Sequence, residues 1–196
     1  MSKELWKPGN MLYPVPAVMV SCKAGNEKAN IITVAWAGTV CSDPAMVSIS
    51  VRPDRYSHHI ILESREFVIN LVTEKLTRAC DWCGVKSGRD YDKFKEMNLH
   101  EYYSDLMETP AIEESPVNIW CRVTKIEELG SHDMFIAKVV GVSVDDAYMD
   151  DKGRFALEKT GLITYSHGEY YGLGKLAGTF GYSVRKTAKI PGKRKK

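Results

Sequence analysis

Hydrophobic and polar residues alternate with a period of two along much of the first half of the chain. In residues 46–51, Val47 and Ile49 alternate with Ser48 and Ser50. Successive side chains of a strand point to opposite faces, so this pattern predicts a β-strand with one apolar face and one small, polar face. Similar alternation or short apolar runs predict further strands at residues 17–21, 30–36, 67–72, 117–126, 134–144, 162–165 and 170–171.

The connections between the first predicted strands are short. A crossover between parallel strands needs a dozen or more residues, and these connections are shorter than that. We therefore expect the strands to pair antiparallel, which excludes a Rossmann-like or flavodoxin-like sheet for this half of the chain.

Helical segments are predicted between the strands. Ser57 is placed to cap a short helix that runs to about residue 63, and Thr73 is placed to cap a longer helix that Gly84 ends. Asp90 is placed to open a further turn. Together these patterns predict a mainly β protein, in which one antiparallel β-barrel has two or three helices packed outside it.

The charge of the chain is unevenly distributed. Seven of the 27 Lys and Arg residues, and no acidic residue, fall in residues 185–196. The other 20 basic residues face 25 acidic ones, so residues 1–184 carry a net charge of about −5. We expect a single domain over residues 1–184, followed by a basic C-terminal tail over residues 185–196.

A basic tail can bind nucleic acid or anionic lipid, or it can be a solvated end. No aromatic residue is interleaved with the charges of this tail, which favours the solvated end. We therefore expect neither a nucleic-acid partner nor a membrane partner.

The cysteine count and the first residues bear on the cellular compartment. The chain has five cysteines, an odd number, and it places Glu4 where a secretory signal needs a basic region. No stretch approaches the ~20 apolar residues of a membrane span. We therefore expect a cytoplasmic protein with reduced thiols. The cysteines are Cys22, Cys41, Cys80, Cys83 and Cys121.

Cys80 and Cys83 form a lone C-x-x-C motif, whose two sulfurs would share one face of a helix. A structural zinc site needs two further ligands, and the sequence contains no second C-x-x-C and no H-x-x-x-H. A redox pair needs a thioredoxin-like βαβ setting, which the predicted strands do not provide. Packed thiols are therefore favoured over a redox pair and over a metal site.

Residues 172–177 formally match the dinucleotide fingerprint G-x-G-x-x-A. That fingerprint must follow a strand, open a helix inside a βαβ unit and be followed by an acidic residue about 20 positions later. No acidic residue follows Glu169 in this sequence, so we reject the match.

Residues 30–59 carry the strongest candidate site. Small polar side chains and Trp36 lie on adjacent predicted strands, and a loop with Arg52 and Arg55 leads directly into the helix at Ser57. The N–H groups and dipole of a helix N-terminus add to the arginine charge, which makes an anion site. Beside a flat polar strand surface, such a site suits a ligand with a planar body and a phosphate. The alternative is an ordinary capped helix with solvated arginines.

The histidines provide one further candidate. His132 lies on a turn between two predicted strands, where it either faces a pocket at the barrel rim or lies on the surface. The pair His58 and His59 has no carboxylate at ligand spacing, so we expect no metal site. The sequence has no G-x-S-x-G elbow, so hydrolase chemistry by that route has no support.

Several motifs resemble one known family, in the same order along the chain. Residues 30–36 read Asn-x-x-Thr-x-Ala-Trp, residues 42–51 read Ser-Asp-Pro-x-Met-Val-Ser-Ile-Ser-Val, and residues 67–71 read Phe-Val-Ile-Asn-Leu. Together they resemble the flavin reductase-like FMN-binding split-barrel family.

Further segments extend this resemblance to about residues 12–183. Residues 130–135, Gly-Ser-His-Asp-Met-Phe, resemble the Gly-Asp-His-x-Ile turn of the family. The segments 83–94 and 173–183 resemble its flavoredoxin branch. The resemblance implies a six-stranded antiparallel Greek-key split barrel, a homodimer, and non-covalent FMN near the subunit interface.

The resemblance also implies site residues. In this family the first motif lines the flavin ring, and the following strand and loop approach the ribityl chain and the phosphate. The turn histidine lies near the flavin, which makes His132 the candidate catalytic residue. Ser131 stands where the family often has Asp, so the resemblance does not extend to a proton relay in this turn. The implied FMN-binding residues are Asn30, Thr33, Val34, Ala35, Trp36, Ser48, Ser50, Arg52, Arg55, Ser57 and His58.

The resemblance leaves more than one function open. The first is an FMN oxidoreductase of flavin reductase type, which passes hydride or electrons from NAD(P)H or a redox donor to a small-molecule or protein partner. The alternative is a flavoredoxin-like electron-transfer protein with bound FMN and little NAD(P)H activity. The sequence has no identifiable nicotinamide-binding motif, so it does not separate these two. A third hypothesis is a flavin-free barrel that acts as a binding module.

Overall fold

The computed structural model describes residues 1–185, so the predicted basic tail, apart from Arg185, lies outside the described residues. Three α-helices interrupt a series of strands in this part of the chain. The helices are α1 (Tyr56–Ser64), α2 (Thr77–Val85) and α3 (Lys93–Glu96). The strands are β1 (Val15–Pro16), β2 (Val18–Cys22), β3 (Asn30–Val34), β4 (Ala37–Ser42), β5 (Ala45–Val51), β6 (Glu66–Leu71), β7 (Glu101–Ser104), β8 (Met107–Ile112), β9 (Val117–Glu128), β10 (Asp133–Val144), β11 (Ile163–Ser166) and β12 (Glu169–Gly172).

Seven of the strands form one curled sheet in the order β3-β2-β6-β9-β10-β5-β4. Every pairing in this sheet is antiparallel. The predicted mainly β, antiparallel barrel with helices outside it is therefore confirmed. Two smaller antiparallel sheets, β1-β11-β12 and β7-β8, pack beside it.

The main sheet has seven strands where six were expected. The strand that the hydrophobic pattern missed is β4, in which Gly38, Thr39 and Val40 are all exposed. Because β4 is an edge strand with little buried surface, it carries no apolar alternation from which it could be predicted. The pair β7-β8 was missed as well, and β7 is similarly exposed.

A hydrophobic core lies on each face of the main sheet. β2 contributes to both, which explains why all of its residues are buried and why Val18, Met19 and Val20 form an apolar run rather than an alternation. The core that includes α1 is built around Val20, Ile49, Ile61, Phe67 and Phe135. The core that includes α2 and α3 is built around Met19, Ile31, Cys80, Cys83 and Phe94.

The helix ends differ from the predicted ones. Arg55 is the N-cap of α1, and Ser57, the predicted cap, lies within the first turn of the helix. Thr73 makes no side-chain capping bond, and Gly84 lies within α2 rather than ending it. α3 opens at Asp92, two residues later than predicted, and the Asp92 carboxylate accepts a bond from a backbone N–H of the helix. No helix within residues 1–185 combines the length and apolar character that crossing a bilayer requires.

A buried polar network ties the centre of the main sheet together. Asn70 on β6 is fully buried, and its amide donates to the carbonyl of Met19 at 3.0 Å and to the hydroxyl of Ser21 at 3.1 Å. Its side-chain oxygen accepts bonds from the backbone of Ile112 and the amide of Asn118, both at 2.9 Å. Buried polar groups are costly without partners, so these bonds fix β2, β6, β8 and β9 relative to one another.

We predict that Asn70→Ala lowers the free energy of unfolding by about 3 kcal/mol, because two buried donors lose their acceptor and a cavity forms. Urea denaturation followed by circular dichroism measures this loss. Asn26→Ala, at an exposed turn position, is the control and should change the free energy by less than about 0.5 kcal/mol. A loss below about 1 kcal/mol at Asn70 would contradict the role given to this network.

Candidate functional site

Two adjacent clefts lie along β3. The first surrounds Asn30 at the start of the strand and is termed the anion cleft. The second surrounds residues 33–36 and is termed the central cleft. Arg55 lines both clefts, so they meet at the residue that immediately precedes α1.

The anion cleft has a volume of about 150 Å³ and is rich in hydrogen-bond donors. Four cationic side chains line it, against the single carboxylate of Asp54. The hydroxyl-bearing residues Ser57 and Ser87 also line it, as does the N-terminal turn of α1, whose free N–H groups favour an anion. This set of groups can hold a phosphate. The four cationic residues are Arg55, Lys86, Arg89 and Lys93.

The C-terminal end of α2 holds two of these cations in place. The last carbonyl groups of a helix have no partner within the helix. The Lys93 ammonium donates to the carbonyls of Cys83 and Ile31, each at 2.7 Å. The Arg55 guanidinium donates to the carbonyl of Gly84. Hydrogen bonds to backbone carbonyls therefore fix the positions of both cationic side chains.

Lys93 is only 3% exposed, which is rare for a lysine. Burial lowers the pKa of Lys93 to about 8, and the neighbouring charge of Arg55 lowers this pKa as well. Most of the ammonium is charged at neutral pH, so it adds to the positive charge of the anion cleft. It loses that charge in mildly alkaline solution.

Asn30 and Gly88 shape the wall of the anion cleft. The Asn30 amide donates to the Ser57 hydroxyl at 2.8 Å, and both residues are buried. This bond ties β3 to α1. A Cβ atom on Gly88 would collide with the Asn30 side-chain oxygen and would lie 2.7 Å from the Tyr56 ring. Only glycine therefore allows the loop after α2 to approach this closely.

The central cleft has a volume of about 250 Å³ and continues from Arg55 along β3. One wall is formed by residues 32–36, and the Ser50 N–H donates to the Trp36 carbonyl at 2.8 Å, which joins this wall to β5. The Thr33 hydroxyl donates to the carbonyl of Cys80 and so fixes the wall to α2. The two clefts together can hold an elongated ligand with a flat body and an anionic end.

The structure brings most of the predicted site residues together. They line one or both clefts. They come from β3 and the two residues after it, from β5 and the loop that follows it, from the first turn of α1, and from the turn between β9 and β10. These residues are Asn30, Thr33, Val34, Ala35, Trp36, Ser50, Arg52, Arg55, Ser57 and His132.

Ser48 and His58 are not placed with the others. Ser48 pairs with Gly38 on β4 and with Ile136 on β10 and lines neither cleft. The His58 imidazole bonds to the Asp133 carboxylate at 2.7 Å instead. Consecutive residues of a helix point about 100° apart, so when Ser57 faces Asn30, His58 faces β10.

His132 lies in the connection between β9 and β10 and lines the central cleft. Its Nδ1 atom is 2.9 Å from the Ser131 hydroxyl. The neighbouring bond between His58 and Asp133 fixes the first residue of β10 against α1. The turn is therefore held at its base while His132 faces the cleft.

The second half of the anion cleft was not predicted from the sequence. Lys86, Ser87, Arg89 and Lys93 lie in the segment 83–94 that resembles the flavoredoxin branch, but no role was inferred for them. The signal was a glycine flanked by Ser and Arg after a helix, followed four residues after the Arg by a lysine within an apolar segment. Their convergence on Asn30 depends on tertiary packing, which this local pattern does not encode.

The thiols of the C-x-x-C motif are packing residues. Both are buried, and burial raises the pKa of Cys80 to about 12 and that of Cys83 to about 11. A thiol must ionise to act as a nucleophile or a metal ligand, so neither is poised for that chemistry near neutral pH. Residues 1–185 also contain no cluster of three or more potential metal ligands among His, Cys, Asp and Glu.

Comparison with known proteins finds a matching family model and related sequences. A family model described as a flavin reductase like domain matches residues 10–174. A protein from Archaeoglobus fulgidus is 30% identical over 152 residues, which are 78% of this chain and 85% of that protein. The NADPH-flavin oxidoreductase of Streptomyces viridifaciens is 24% identical over 129 residues, which are 65% of each chain.

Solved structures agree with the fold. The flavoredoxin of Desulfovibrio vulgaris (Miyazaki F) superposes with a TM-score of 0.86 at 27% identity. The flavoredoxin of Methanosarcina acetivorans superposes with a TM-score of 0.84 at 23% identity. Each comparison covers 94% of this chain and 100% of the other.

We predict that the ammonium of Lys93 titrates with a midpoint at about pH 8, below the ordinary lysine value of 10.5, because burial disfavours its charged form. The Cε resonances of ¹³C-labelled lysine measure this midpoint, and Lys93→Met identifies the signal. A Lys93 midpoint at the ordinary lysine value of 10.5 would show that the ammonium is solvated.

Proposed function

The chain belongs to the flavin reductase-like domain family, and from this premise we propose that it binds FMN and passes hydride or electrons through it, from NAD(P)H or another redox donor. The observation that carries the proposal is the meeting of the anion cleft and the central cleft at Arg55. A flat molecule that ends in a phosphate matches this pair of clefts in both shape and charge.

The residues present fit the chemistry of FMN. The phosphate is an anion with several acceptor oxygens, and the cations and hydroxyls around Ser57 and Lys93 offer it charge-assisted hydrogen bonds. Gly88 lets the loop after α2 pack closely against Asn30 and Tyr56, which brings the neighbouring Ser87 and Arg89 to the cleft. For the ring, residues 33–36 offer a wall of small and aromatic side chains in the central cleft.

The protein's own part in this function is to bind and orient the cofactor. FMN supplies hydride and single-electron chemistry when it is bound. Arg55 and Lys93, held by the end of α2, position the phosphate. Residues 33–36 set the orientation of the ring. His132, which lines the central cleft, offers an imidazole that can hold or release a proton beside the ring.

A second candidate function is electron transfer without direct turnover of NAD(P)H. The similarity to the flavoredoxin of D. vulgaris supports it, whereas the similarity to the NADPH-flavin oxidoreductase of S. viridifaciens supports the first function. Stopped-flow mixing of the FMN-loaded protein with NADH and with NADPH separates the two. Rapid bleaching of the flavin absorbance supports the reductase, and reduction by dithionite alone supports the carrier.

We also propose that the protein is a homodimer that exchanges electrons with a small molecule or a redox protein. The open side of the central cleft is rimmed by exposed apolar side chains, including Leu12 and Leu129. Exposed apolar surface beside a binding cleft is typical of a protein interface. Elution at about twice the chain mass of 22.0 kDa tests this assembly.

We predict that Arg55→Ala weakens FMN binding about 10- to 100-fold and changes riboflavin binding by less than about twofold. The two flavins differ only in the phosphate, and a charge-assisted bond to that phosphate is what the substitution removes. Fluorescence quenching of each flavin by the apo-protein measures both affinities.

Arg78→Ala is the matched control for this experiment. Arg78 is an exposed arginine on α2 that lines neither cleft, so its loss gives the same change in net charge. We expect it to leave both affinities unchanged. If Arg55→Ala weakened riboflavin as much as FMN, Arg55 would be a structural residue and the proposed phosphate site would be wrong.

A further inference from the structure

Residues 173–184 form an arm that follows β12 and exposes large apolar side chains. Leu176 is 81% exposed, Phe180 104% and Val184 82%. Leu173 and Tyr182 are exposed as well. Together such side chains present roughly 500 Å² of apolar surface, which is as much as the largest patch on a typical monomer.

The arm has almost no anchor on its own chain. The N–H of Leu173 donates to the carbonyl of Leu162 at 3.3 Å. Beyond Leu173, no hydrogen bond within residues 1–185 joins the arm to the rest of the protein, and its bonds are local, such as Tyr182 N–H to Thr179 at 2.9 Å. The body of the same chain therefore leaves the apolar side chains of the arm uncovered.

A complementary surface lies at the open side of the central cleft, termed the cleft mouth. It has a volume of about 540 Å³ and is lined by Met11, Leu12 and Leu129 together with Trp36 and His132. Leu12 is 87% exposed and Leu129 is 59% exposed. The cleft mouth is thus an uncovered apolar surface that opens directly onto the proposed flavin site.

A second copy of this chain can provide the covering partner that both the arm and the cleft mouth lack. An extended arm of twelve residues can span up to about 40 Å, which is enough to cross onto a neighbouring subunit. In a two-fold dimer each subunit has one arm and one cleft mouth, so one symmetric arrangement covers both arms and both cleft mouths.

We propose that the arm of each subunit covers the cleft mouth of the other subunit and thereby completes its FMN site. Leu176 and Phe180 would pack against the apolar rim and exclude water from the central cleft. The identity of the ligand rests on the proposed function, whereas the exchange of arms between subunits does not.

A subunit-complementation experiment tests this proposal. One variant carries a defective arm, Leu176→Ser with Phe180→Ser, and the other carries a defective anion cleft, Arg55→Ala. Each homodimer should bind FMN at least about tenfold more weakly than the unaltered protein. The heterodimer, purified through two different tags, should regain one site of normal affinity per dimer. That site combines the intact cleft of the first subunit with the intact arm of the second.

Arm exchange is wrong if the heterodimer has no site of normal affinity, because an arm that acts on its own subunit leaves both sites defective. It is also wrong if the arm variant binds FMN normally.

Leu157→Ser, at another exposed apolar residue away from both clefts, is the control and should have no effect. If the unaltered protein did not bind FMN, the proposed function would fail. Sedimentation equilibrium would then still decide the exchange, since the arm variant alone should weaken dimerisation about tenfold or more.

Discussion

Hydrogen bonds to the carbonyl groups of α2 hold the two cations and one wall of the candidate site in place. The guanidinium of Arg55 and the ammonium of Lys93 donate to the C-terminal end of the helix, at Gly84 and Cys83. The hydroxyl of Thr33 donates to the carbonyl of Cys80, one turn earlier. A helix C-terminus combines unsatisfied acceptors with partial negative charge, so it attracts cations. Through these bonds one helix positions β3, the start of α1 and the start of α3. It also holds two like charges side by side, which would otherwise repel one another.

The site lies at the edge of a rigid sheet rather than within it. β3 pairs with β2 and is the outermost strand of the seven-stranded sheet. An edge strand exposes backbone groups that need partners, and Lys93 supplies one of them by donating to the carbonyl of Ile31. The network around Asn70 fixes β2 from the other side. A strand that is rigid on one side and open on the other can present its backbone and side chains to a ligand without moving.

Much of this arrangement could be predicted from local sequence, and the remainder depends on contacts between distant segments. Period-two alternation identified β5 correctly, and the order of strand, arginine loop and helix predicted an anion site at the start of α1. The same pattern suggested a cap at Ser57. The family resemblance added site roles for Asn30 and His58. Ser57 is instead buried and accepts a hydrogen bond from the Asn30 amide, and His58 pairs with Asp133, which is 75 residues away. A helix pattern gives the relative directions of two neighbouring side chains, but only the packing of α1 against β10 decides which one faces the ligand.

Four of the five cysteines are buried and therefore unreactive, whereas one is partly exposed. Burial raises the pKa of Cys22 and of Cys121 to about 12, as it does for Cys80, and Cys83 is fully buried too. Cys41, on the outermost strand β4 at the far edge of the main sheet from β3, is partly exposed. The native chain therefore carries its own single attachment point for a maleimide fluorophore or a spin label. Distance measurements between two labelled copies need no engineered cysteine.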